Sequence, residues 1–592
     1  MNVLLFLLIS LLVHSIPIPF SSDMVRMGRL IRWLPFRLVW GTIAWIVICL
    51  VMAATLPWAV LSLLFSLGLL LLVSGGVRPS RFGRGFEGVK LPVVCLGMII
   101  VLVVPLFSGL VSWTSDVSNA TFFNSMIQEK HDALFSAPIP DERVRLVTED
   151  YATYVAKQHL SPFGSNVVIA SAHITTRLGK LVWVCTIVSS NVLAENYVKG
   201  FIVVDANNPQ TISPVLINQT TIPVGEGLFW DRNINFGNYL NDMSATYQYA
   251  YPTWDPTGNM VYVQTRTPLG FDFVERAIGP IVYCENGTIV SYDSIQDTPY
   301  WITQAYAEEW LERQVSRWGG YRRGSGFDLF AGGFLWFVPP SSDRLQMSED
   351  TRYILNPDTQ TVEAFIAVHP VTSEQALAGI FRATRNGVYY YDLSSFRYIS
   401  GEAAKANVIS QLPLPATGSY YGAMPLLYPV EINSTLTTWT WYCPIYWADG
   451  YYDEESGEFS VSDMRLHALA LVDASNVDKF YIQELGGVLS GPTLVQAARV
   501  GYVTLLGGTV LVPIDTFQLT ANVVNKTQYV EGGDTHIVLG TNNSTCWYVE
   551  GTRSWMNLTD WYTLLNLGIG DSFTATIHVV DGQFRIMAIT KN

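Results

Sequence analysis

The chain has 592 residues and a formal net charge of −14, and 14% of its side chains are charged, against about 25% in a typical protein. The charges are unevenly placed. Residues 1–113 hold eight Lys/Arg and two acids, whereas residues 114–592 hold 27 basic and 47 acidic side chains. This pattern indicates a basic-flanked membrane anchor followed by an acidic body, and the acidity of the body argues against nucleic-acid binding.

Residues 38–74 are apolar almost without a break. One helix of this length would run about 55 Å, too long for a hydrocarbon core of about 30 Å. The sequence therefore predicts a helical hairpin, roughly 38–56 and 58–74, turned near Pro57, with a tilted or re-entrant segment as the alternative. A third span is predicted at 91–113.

Two arginine-rich segments predict the orientation of these spans. Residues 26–37 precede the hairpin and residues 78–90 follow it. Short positively charged segments stay on the cytoplasmic side, so the third span would carry residues 114–592 to the outside. The first of these segments is also suited to lie along anionic lipid headgroups. Residues 3–20 are apolar but lack a basic start, and are either a retained span or a signal anchor.

The body is rich in Trp, Tyr, Val, Ile and Thr, which suit pleated strands, and its length predicts two to four domains. Helices are predicted ahead of the strand-rich segments. Thr148 is a suitable cap for a helix that runs to about Leu160, with two acids in its first turn. Two further helices are predicted at about 302–318 and 402–412.

Internal repeats run through the body. Four apolar strands are followed by turns, and two of these turns contain Asn-Gly, a strong hairpin signal because both residues tolerate positive φ. The first and last units share a further strand, which begins at Trp183 in one and at Trp441 in the other. The four strands lie at 200–205, 279–284, 379–382 and 467–473, and the Asn-Gly pairs begin at Asn286 and Asn386.

The recurring unit, a helix followed by an antiparallel meander, resembles PepSY-like domains, which carry a Val-Asp turn. The resemblance covers residues 148–216, with Val204-Asp205 at the turn, and residues 402–482, with Val472-Asp473. The glycine of that turn is absent in both units. The larger layout resembles a family of uncharacterised membrane-anchored proteins of bacteria and their phages, in which several such units precede a small barrel.

The last 65 residues predict a separate small module. Strands at 536–539, 545–549 and 554–557, a helix at about 560–567 and a closing hairpin fit an OB-like barrel. The predicted fold class is therefore α+β: transmembrane helices, repeated helix-plus-antiparallel-sheet units and a C-terminal β-barrel. The predicted domains are an anchor at 1–113, PepSY-like units at 114–240 and 401–524, central antiparallel units at 241–400, and the barrel at 525–592.

Four cysteines and eight glycosylation sequons lie outside the spans. An even number of external cysteines is compatible with two disulfides, and buried free thiols are the alternative. The sequons predict glycosylation only in a host that glycosylates. The cysteines are Cys185, Cys284, Cys443 and Cys546, and the sequon asparagines are Asn119, Asn218, Asn286, Asn433, Asn525, Asn542, Asn543 and Asn557.

No metal, nucleophile or nucleotide motif is present, so no catalytic residue and no cofactor is assigned. The one weak metal candidate is an acidic loop whose carboxylates suit Ca²⁺ but lack EF-hand spacing. Aromatic tracts at 439–442 and 446–447 would stack on sugars if exposed, but alternating aromatics in strands usually belong to a core. The calcium candidates are Asp449, Asp453, Glu454, Glu455 and Glu458.

The leading functional hypothesis is a membrane-anchored, extracytoplasmic structural or interaction protein of a cell envelope or virion. It would bind a protein partner, or a second copy of itself, and would not be an enzyme. The PepSY-like resemblance implies a first alternative, a regulator of an extracytoplasmic peptidase. Aromatics and abundant acids motivate a second alternative, an enzyme acting on envelope polysaccharide.

Overall fold

The computed structural model divides into two compact units. The larger comprises residues 1–430 and 438–502, and the smaller comprises residues 431–437 and 503–592. The structure describes all residues except 17–26, 76–90, 132–133, 136–137, 178, 209–211, 217–223, 248, 257, 285–287, 322–343, 349–351, 357–361, 434–435, 453–458, 486–490, 509–515, 532–533, 544–547, 554–555, 557 and 581–582.

Four apolar helices open the chain. Three of them, α2 with a π-helical extension, α3 and α4, are long and apolar enough to cross a membrane. The first helix has 13 residues, fewer than the roughly 20 that a crossing needs. The helices are α1 (Val3–Ser15), α2 (Met27–Trp45, extended by Ile46–Val51), α3 (Leu56–Gly75) and α4 (Leu91–Met126).

The turn of the predicted hairpin is displaced from its expected place. It lies at residues 52–55, and Pro57 belongs to the first turn of α3. Proline is tolerated there because the first N–H groups of a helix have no intrahelical acceptor. The helix that contains the predicted third span, 91–113, continues past residue 113 to Met126 without interruption.

The start of the chain and the turn at 52–55 both meet the body at residues 239–243. The amino group of Met1 lies 2.5 Å from the Asp242 carboxylate, and the Tyr239 hydroxyl donates to the Ala54 carbonyl at 3.0 Å. The beginning of α1, the end of α2 and the beginning of α3 therefore lie on the side of the body.

The last part of α4 is built into the body rather than lying against it. Ala120 and Phe123 are fully buried in the main core. Asn119 is also fully buried; its amide donates to the Phe273 carbonyl at 2.9 Å and accepts from the Glu275 N–H at 2.8 Å. One continuous helix thus joins the apolar segment to the core.

Four units of the same order follow α4, each a helix ahead of an antiparallel sheet. In the first, the Thr148 side chain accepts the Tyr151 N–H at 3.1 Å and caps the predicted helix. The buried residues Ala152, Val155 and Ala156 form one face of this helix, at the spacing of an amphipathic helix. The first unit consists of α5 (Glu149–Gln158), β2 (Val167–Arg177), β3 (Lys180–Ser189), β4 (Val198–Asp205) and β5 (Ile212–Leu216).

The second and third units carry five strands each in the same antiparallel arrangement. A short strand that follows α4, β1 (Ile127–Lys130), adds in parallel to the third sheet at β15. The second unit has α6 (Ile234–Asn241), β6 (Ala245–Thr246), β7 (Ala250–Trp254), β8 (Met260–Pro268), β9 (Ile278–Tyr283) and β10 (Ile289–Ser291). The third has α7 (Glu308–Tyr321), β11 (Leu345–Met347), β12 (Arg352–Leu355), β13 (Val362–Pro370), β14 (Gly379–Thr384) and β15 (Gly387–Asp392).

The fourth unit has the longest strands of the larger unit and is followed by a further helix. Its helix begins one residue earlier than predicted, where the Ser400 hydroxyl accepts the Ala403 N–H. The elements are α8 (Gly401–Gln411), β16 (Ser419–Gly422), β17 (Leu426–Asn433), β18 (Leu436–Tyr452), β19 (Phe459–Asp473), β20 (Asn476–Glu484) and α9 (Gly491–Leu505).

The first and fourth units are structural equivalents. The Trp183 indole donates to the carbonyl of Val147, the residue before the cap of α5, at 3.0 Å. The Trp441 indole donates to the carbonyl of Ile399, the residue before the cap of α8, also at 3.0 Å. Each tryptophan therefore fixes the start of its unit's helix against the sheet.

The Val-Asp turns of the two units are equivalent as well. The Asp205 carboxylate accepts the Asn207 N–H at 2.8 Å, and the Asp473 carboxylate accepts the Ser475 N–H at 2.7 Å. An aspartate that bonds the backbone two residues on makes a turn without the help of a glycine. This explains why both turns form although the glycine of the PepSY-like pattern is absent.

The Asn386-Gly387 hairpin forms, but one residue out of the expected register. Thr384 pairs with Gly387, so the two-residue loop is Arg385-Asn386 and the glycine opens β15. Gly387 has φ +151°, which glycine adopts without strain. The other Asn-Gly pair, at Asn286, lies outside the described residues.

The five C-terminal strands of the smaller unit pair in a closed ring, in the order β21-β22-β23-β25-β24. Its core is apolar, with Ile537, Leu539 and Phe573 fully buried. The first strand crosses the domain boundary predicted at residue 525. The strands are β21 (Thr516–Glu531), β22 (Asp534–Thr541), β23 (Tyr548–Thr552), β24 (Ser572–Val580) and β25 (Gln583–Lys591), and α10 (Leu558–Asn566) lies between β23 and β24.

One lysine closes the end of α10. The Lys526 ammonium donates to the carbonyls of Leu564, Leu565 and Leu567 at 2.7–2.9 Å. These carbonyls are the unsatisfied acceptors of a helix C-terminus, where a positive charge also suits the helix dipole.

We expect Lys526→Met to destabilise the ring of strands by about 1–2 kcal/mol, because three charge-assisted hydrogen bonds are lost. Hydrogen exchange of the full chain measures this as faster exchange of residues 558–567. The control is Lys591→Met, which removes only an exposed ion pair to Asp571 and should change exchange little. Equal exchange in the two variants would contradict the role given to Lys526.

Candidate functional site

The larger unit encloses a cavity of about 790 Å³ among α5, α7, α8 and the strands β2, β12 and β16. Its lining is unusually rich in charge for a protein with few charged residues. Three Lys/Arg and one histidine line it: Arg145, Arg352, Lys405 and His173. Seven carboxylates line it: Glu149, Asp150, Glu226, Glu308, Glu309, Glu312 and Glu402.

Helix starts bring most of these acids together. Glu149 lies in the first turn of α5, Glu308 and Glu309 in the first turn of α7, and Glu402 in the first turn of α8. A carboxylate in a first turn is stabilised by the helix dipole by roughly 0.3–1 kcal/mol. Three helices from different units thus direct their acid-bearing ends to one cavity.

Glu308 is the most perturbed of the acids. Burial, and then the carboxylates of Glu312 and Glu309, raise its pKa to about 8. Burial likewise raises the pKa of Glu309. The Glu308 carboxyl is therefore largely protonated at neutral pH, and a cation that enters the cavity would favour its ionised form.

His173 and Glu226 form a close pair on another wall. The two side chains lie 2.6 Å apart (Nε2 to Oε2), and the Ser171 hydroxyl donates to the same carboxylate oxygen at 2.6 Å. Burial lowers the pKa of His173, but the adjacent Glu226 carboxylate outweighs it, so that the pKa is raised overall. The raised pKa favours the imidazolium form of His173 beside the Glu226 carboxylate.

Arg145 is 5% exposed and lines the cavity. Its Nη1 donates to the Tyr353 carbonyl at 2.8 Å, and its guanidinium lies over the Trp183 ring at 5.0 Å. Among the described residues its Nε finds no acceptor, and the side chain forms no ion pair. Burial lowers the pKa of Arg145 to about 10.

Two further cations, Arg352 and Lys405, line the same cavity as Arg145. Arg352 is 7% exposed and donates to the Pro425 carbonyl at 2.6 Å. Burial, and then the charge of Arg145, lower the pKa of Arg352 to about 9. Burial and the charge of Arg352 lower the pKa of Lys405 to about 8, although Glu402 lies 2.7 Å from its ammonium. The cavity therefore has a cationic wall as well as its carboxylates.

Of the calcium candidates, only Asp449 lies among the described residues. Asp449 lies on β18, paired with Asp463 of β19. The other four candidates, at residues 453–458, lie outside the described residues. In the described part of the chain no three His, Cys, Asp or Glu side chains are close enough to hold a metal ion.

The sequons differ in accessibility. Asn119 is fully buried with its amide hydrogen-bonded, so the folded chain offers no room for a glycan there. Its burial reflects the continuation of α4 into the core, which the expected end of the span at 113 does not anticipate. Asn433, Asn525 and Asn542 are exposed, Asn543 is half-buried, and Asn218, Asn286 and Asn557 lie outside the described residues.

The external cysteines are not paired by the structure where it describes them. Cys185, Cys284 and Cys443 are free thiols, and Cys546 lies outside the described residues. Burial raises the pKa of the Cys185 and Cys443 thiols to about 12, which keeps them protonated. These two occupy equivalent core positions, two residues after Trp183 and Trp441.

The aromatic tracts of β18 belong to the core. Trp441, Tyr442 and Tyr446 are almost completely buried, and Trp447 is 8% exposed. Rings enclosed in this way present no face on which a sugar could stack. Packing therefore accounts for these four rings, whereas Trp439 of the first tract is half-buried.

Comparison with protein-family models and with curated proteins finds no match for this chain. The PepSY-like and OB-like resemblances consequently rest on the residues of the chain itself.

Sequence reasoning missed the cavity as a whole. The sequence indicates that the acids of α5 suit a helix start. It does not indicate that the acids in the first turns of α7 and α8 line the same cavity. Arg145 and Arg352 each have charged residues within three positions along the chain, so no local pattern marks them as buried. Burial of an arginine is costly unless a partner compensates its charge, but the sequence does not show which arginines are buried.

We expect Glu308→Gln to make thermal stability less dependent on pH. The folded-state pKa of about 8 exceeds the usual 4.5, so the folded chain binds the extra proton and stability falls as pH rises from about 4.5 to about 8. The substitution should add about 1–2 kcal/mol at pH 8 and little at pH 4.5. Melting curves at several pH values measure this, with the exposed Glu129→Gln as control; parallel curves for wild type and Glu308→Gln would contradict it.

Proposed function

We propose that this chain is a membrane-anchored, extracytoplasmic interaction protein of a cell envelope or virion that binds a basic segment of a protein partner in the central cavity. The observation that carries the proposal is the excess of carboxylates, seven against three Lys/Arg, around a cavity of about 790 Å³. Cavities of about 300–1,000 Å³ enclose drug-sized ligands, and therefore a short stretch of peptide.

The arrangement of the helices supports an extracytoplasmic body. Met1 and the turn at 52–55 contact the body, and the end of α4 is buried in it. The arginine-rich segment 26–37 includes the start of α2, and the segment 78–90 lies between α3 and α4 along the chain. Both therefore lie at the ends of α2, α3 and α4 that are opposite to these contacts. Under the positive-inside rule those ends are cytoplasmic, which puts the body outside and α1 beside the spans with its N-terminus outside.

The charge of the cavity favours a cationic partner segment. Lysine or arginine side chains would meet carboxylates that are partly desolvated, where electrostatic attraction is stronger than in water. The body as a whole is acidic, with 47 acids against 27 basic residues in 114–592. This charge would also speed the encounter with a basic partner.

Regulation of an extracytoplasmic peptidase is a second candidate. It is favoured by the equivalence of the first and fourth units, whose tryptophans and Val-Asp turns make the same hydrogen bonds. The two units are PepSY-like in this proposal, and the partner in the cavity would then be a peptidase or its peptide. The ring of β21 to β25, an OB-like barrel, has four Lys/Arg against six acids in 516–592, which disfavours a nucleic-acid partner.

The orientation is tested with single cysteines and a membrane-impermeant maleimide on intact cells or particles. We expect a cysteine at Ser410, exposed on α8, to be labelled at once. A cysteine at Ser80, within the second arginine-rich segment, should be labelled only after permeabilisation. The unsubstituted chain is the control for native thiols. The reverse pattern would refute the proposed orientation.

The binding function is tested by crosslinking mass spectrometry on membranes that contain the native protein. We expect crosslinks from the cavity region, through Lys405 and Lys157, to one abundant neighbour. The triple variant Glu308→Gln, Glu309→Gln and Glu312→Gln should reduce them at least about tenfold, since it removes three of the attracting carboxylates.

A matched triple variant controls for net charge. It carries Glu129→Gln, Glu374→Gln and Asp478→Asn, three exposed carboxylates that do not line the cavity. Its crosslinks should equal those of the wild type. Crosslinks confined to the chain itself, or an equal loss in both variants, would contradict recognition in the cavity.

A further inference from the structure

Arg145 is a buried cavity cation whose charge the described residues compensate only in part, through the attraction of Glu308 and Glu149. It is 5% exposed, its hydrogen bonds run to the Tyr353 carbonyl and the Met424 sulfur, and the described residues give it no ion pair. Its Nε lacks an acceptor although it is buried. A buried cation in this condition is destabilising unless an anion reaches it.

The positive charges of Arg352 and Lys405 make the binding of an anion near Arg145 more favourable. The guanidinium of Arg352 is close enough for each positive charge to oppose the other, and Lys405 is affected in turn by Arg352. Backbone carbonyls hold the two guanidinium groups in place at 2.8 and 2.6 Å. Both guanidinium groups line the cavity, and a planar guanidinium is the group that binds a carboxylate with two hydrogen bonds.

The opposite charges elsewhere in the cavity restrict which anion fits. Glu309 and Glu312 line the same cavity and would repel a multiply charged anion such as phosphate, whereas the raised pKa of Glu308 favours its neutral form. These carboxylates repel a group with a single negative charge less strongly. If that group is linked to a cation, they attract the cation. A zwitterionic molecule can therefore place its anion beside the arginines and its cation beside the carboxylates.

We propose that Arg145 and Arg352 bind the free C-terminal carboxylate of a peptide whose basic side chain lies against Glu308, Glu309 and Glu312. This inference rests on the proposed function and makes it more specific, because it states which part of the partner enters and in which direction. The cavity takes a chain end rather than an internal loop. A basic residue just before the terminus is then the recognised feature.

The test compares two ligands on the unaltered protein. The full chain is reconstituted in phosphatidylcholine nanodiscs and titrated by calorimetry with the tetrapeptide Ala-Lys-Lys-Ala, first with a free C-terminal carboxylate and then as the amide. We expect the amide to bind about 10- to 100-fold more weakly, the usual effect of removing a charge-assisted, two-bond contact. No substitution is required, so folding cannot confuse the result.

Two substitutions then locate the two ends of the peptide. Arg145→Gln should weaken the free peptide about tenfold or more and leave the amide nearly unchanged, which removes the preference. The triple variant Glu308→Gln, Glu309→Gln and Glu312→Gln should weaken both peptides while keeping the preference for the free carboxylate. Melting temperatures of each variant in nanodiscs show whether the fold is kept.

The outcomes separate this inference from the function on which it rests. Equal binding of free and amidated peptide, with both lost in the triple variant, would overturn the carboxylate subsite but leave recognition of a basic segment intact. No binding of either peptide would overturn both. If Arg145→Gln does not fold, the comparison of the two peptides on the wild type still tests whether the cavity binds a free carboxylate.

Discussion

Charge buried around the central cavity is the feature on which the arrangement of the body depends. Three helices from different units bring acidic first turns to it, and two buried arginines face it from β12 and from the segment before α5. Helix dipoles and backbone carbonyls stabilise each charge separately, but like charges on each wall repel. Packing of the equivalent tryptophans Trp183 and Trp441 fixes the helix starts that hold the charges there. Such stored repulsion is typical of sites that receive a charged ligand.

The equivalent helices of the first and fourth units contribute residues of different charge to the same cavity. Equivalent helices, α5 and α8, present their first turns to it, but their sequences differ at the decisive positions. The helix of the first unit supplies Glu149 and Asp150, whereas that of the fourth supplies Glu402 together with Lys405. The two units thus share core contacts, including the buried Cys185 and Cys443, while their cavity-lining residues differ.

The parts of the fold set by neighbouring residues could be predicted from the sequence, and the parts set by distant contacts could not. The Thr148 cap and the Asp205 and Asp473 turns depend on residues within three positions, and they formed where the pattern placed them. The predicted helix at 302–318 instead begins at Glu308, because Ile302, Ala305 and Tyr306 pack into the core ahead of it. The cavity joins residues 145 and 405, and no local pattern records that proximity.

The continuity of α4 gives the body a mechanical property. A helix of 36 residues is about 54 Å long, and a bilayer core accounts for about 30 Å of it. Its final turns are held in the core by Ala120, Phe123 and the hydrogen bonds of Asn119, with no loop to act as a joint. If α4 spans the membrane, its residues beyond Pro105 form a continuous helical connection to the body rather than a flexible tether. Any tilt of that helix, caused by bilayer thickness or by pull on a bound partner, would then swing the cavity through the same angle.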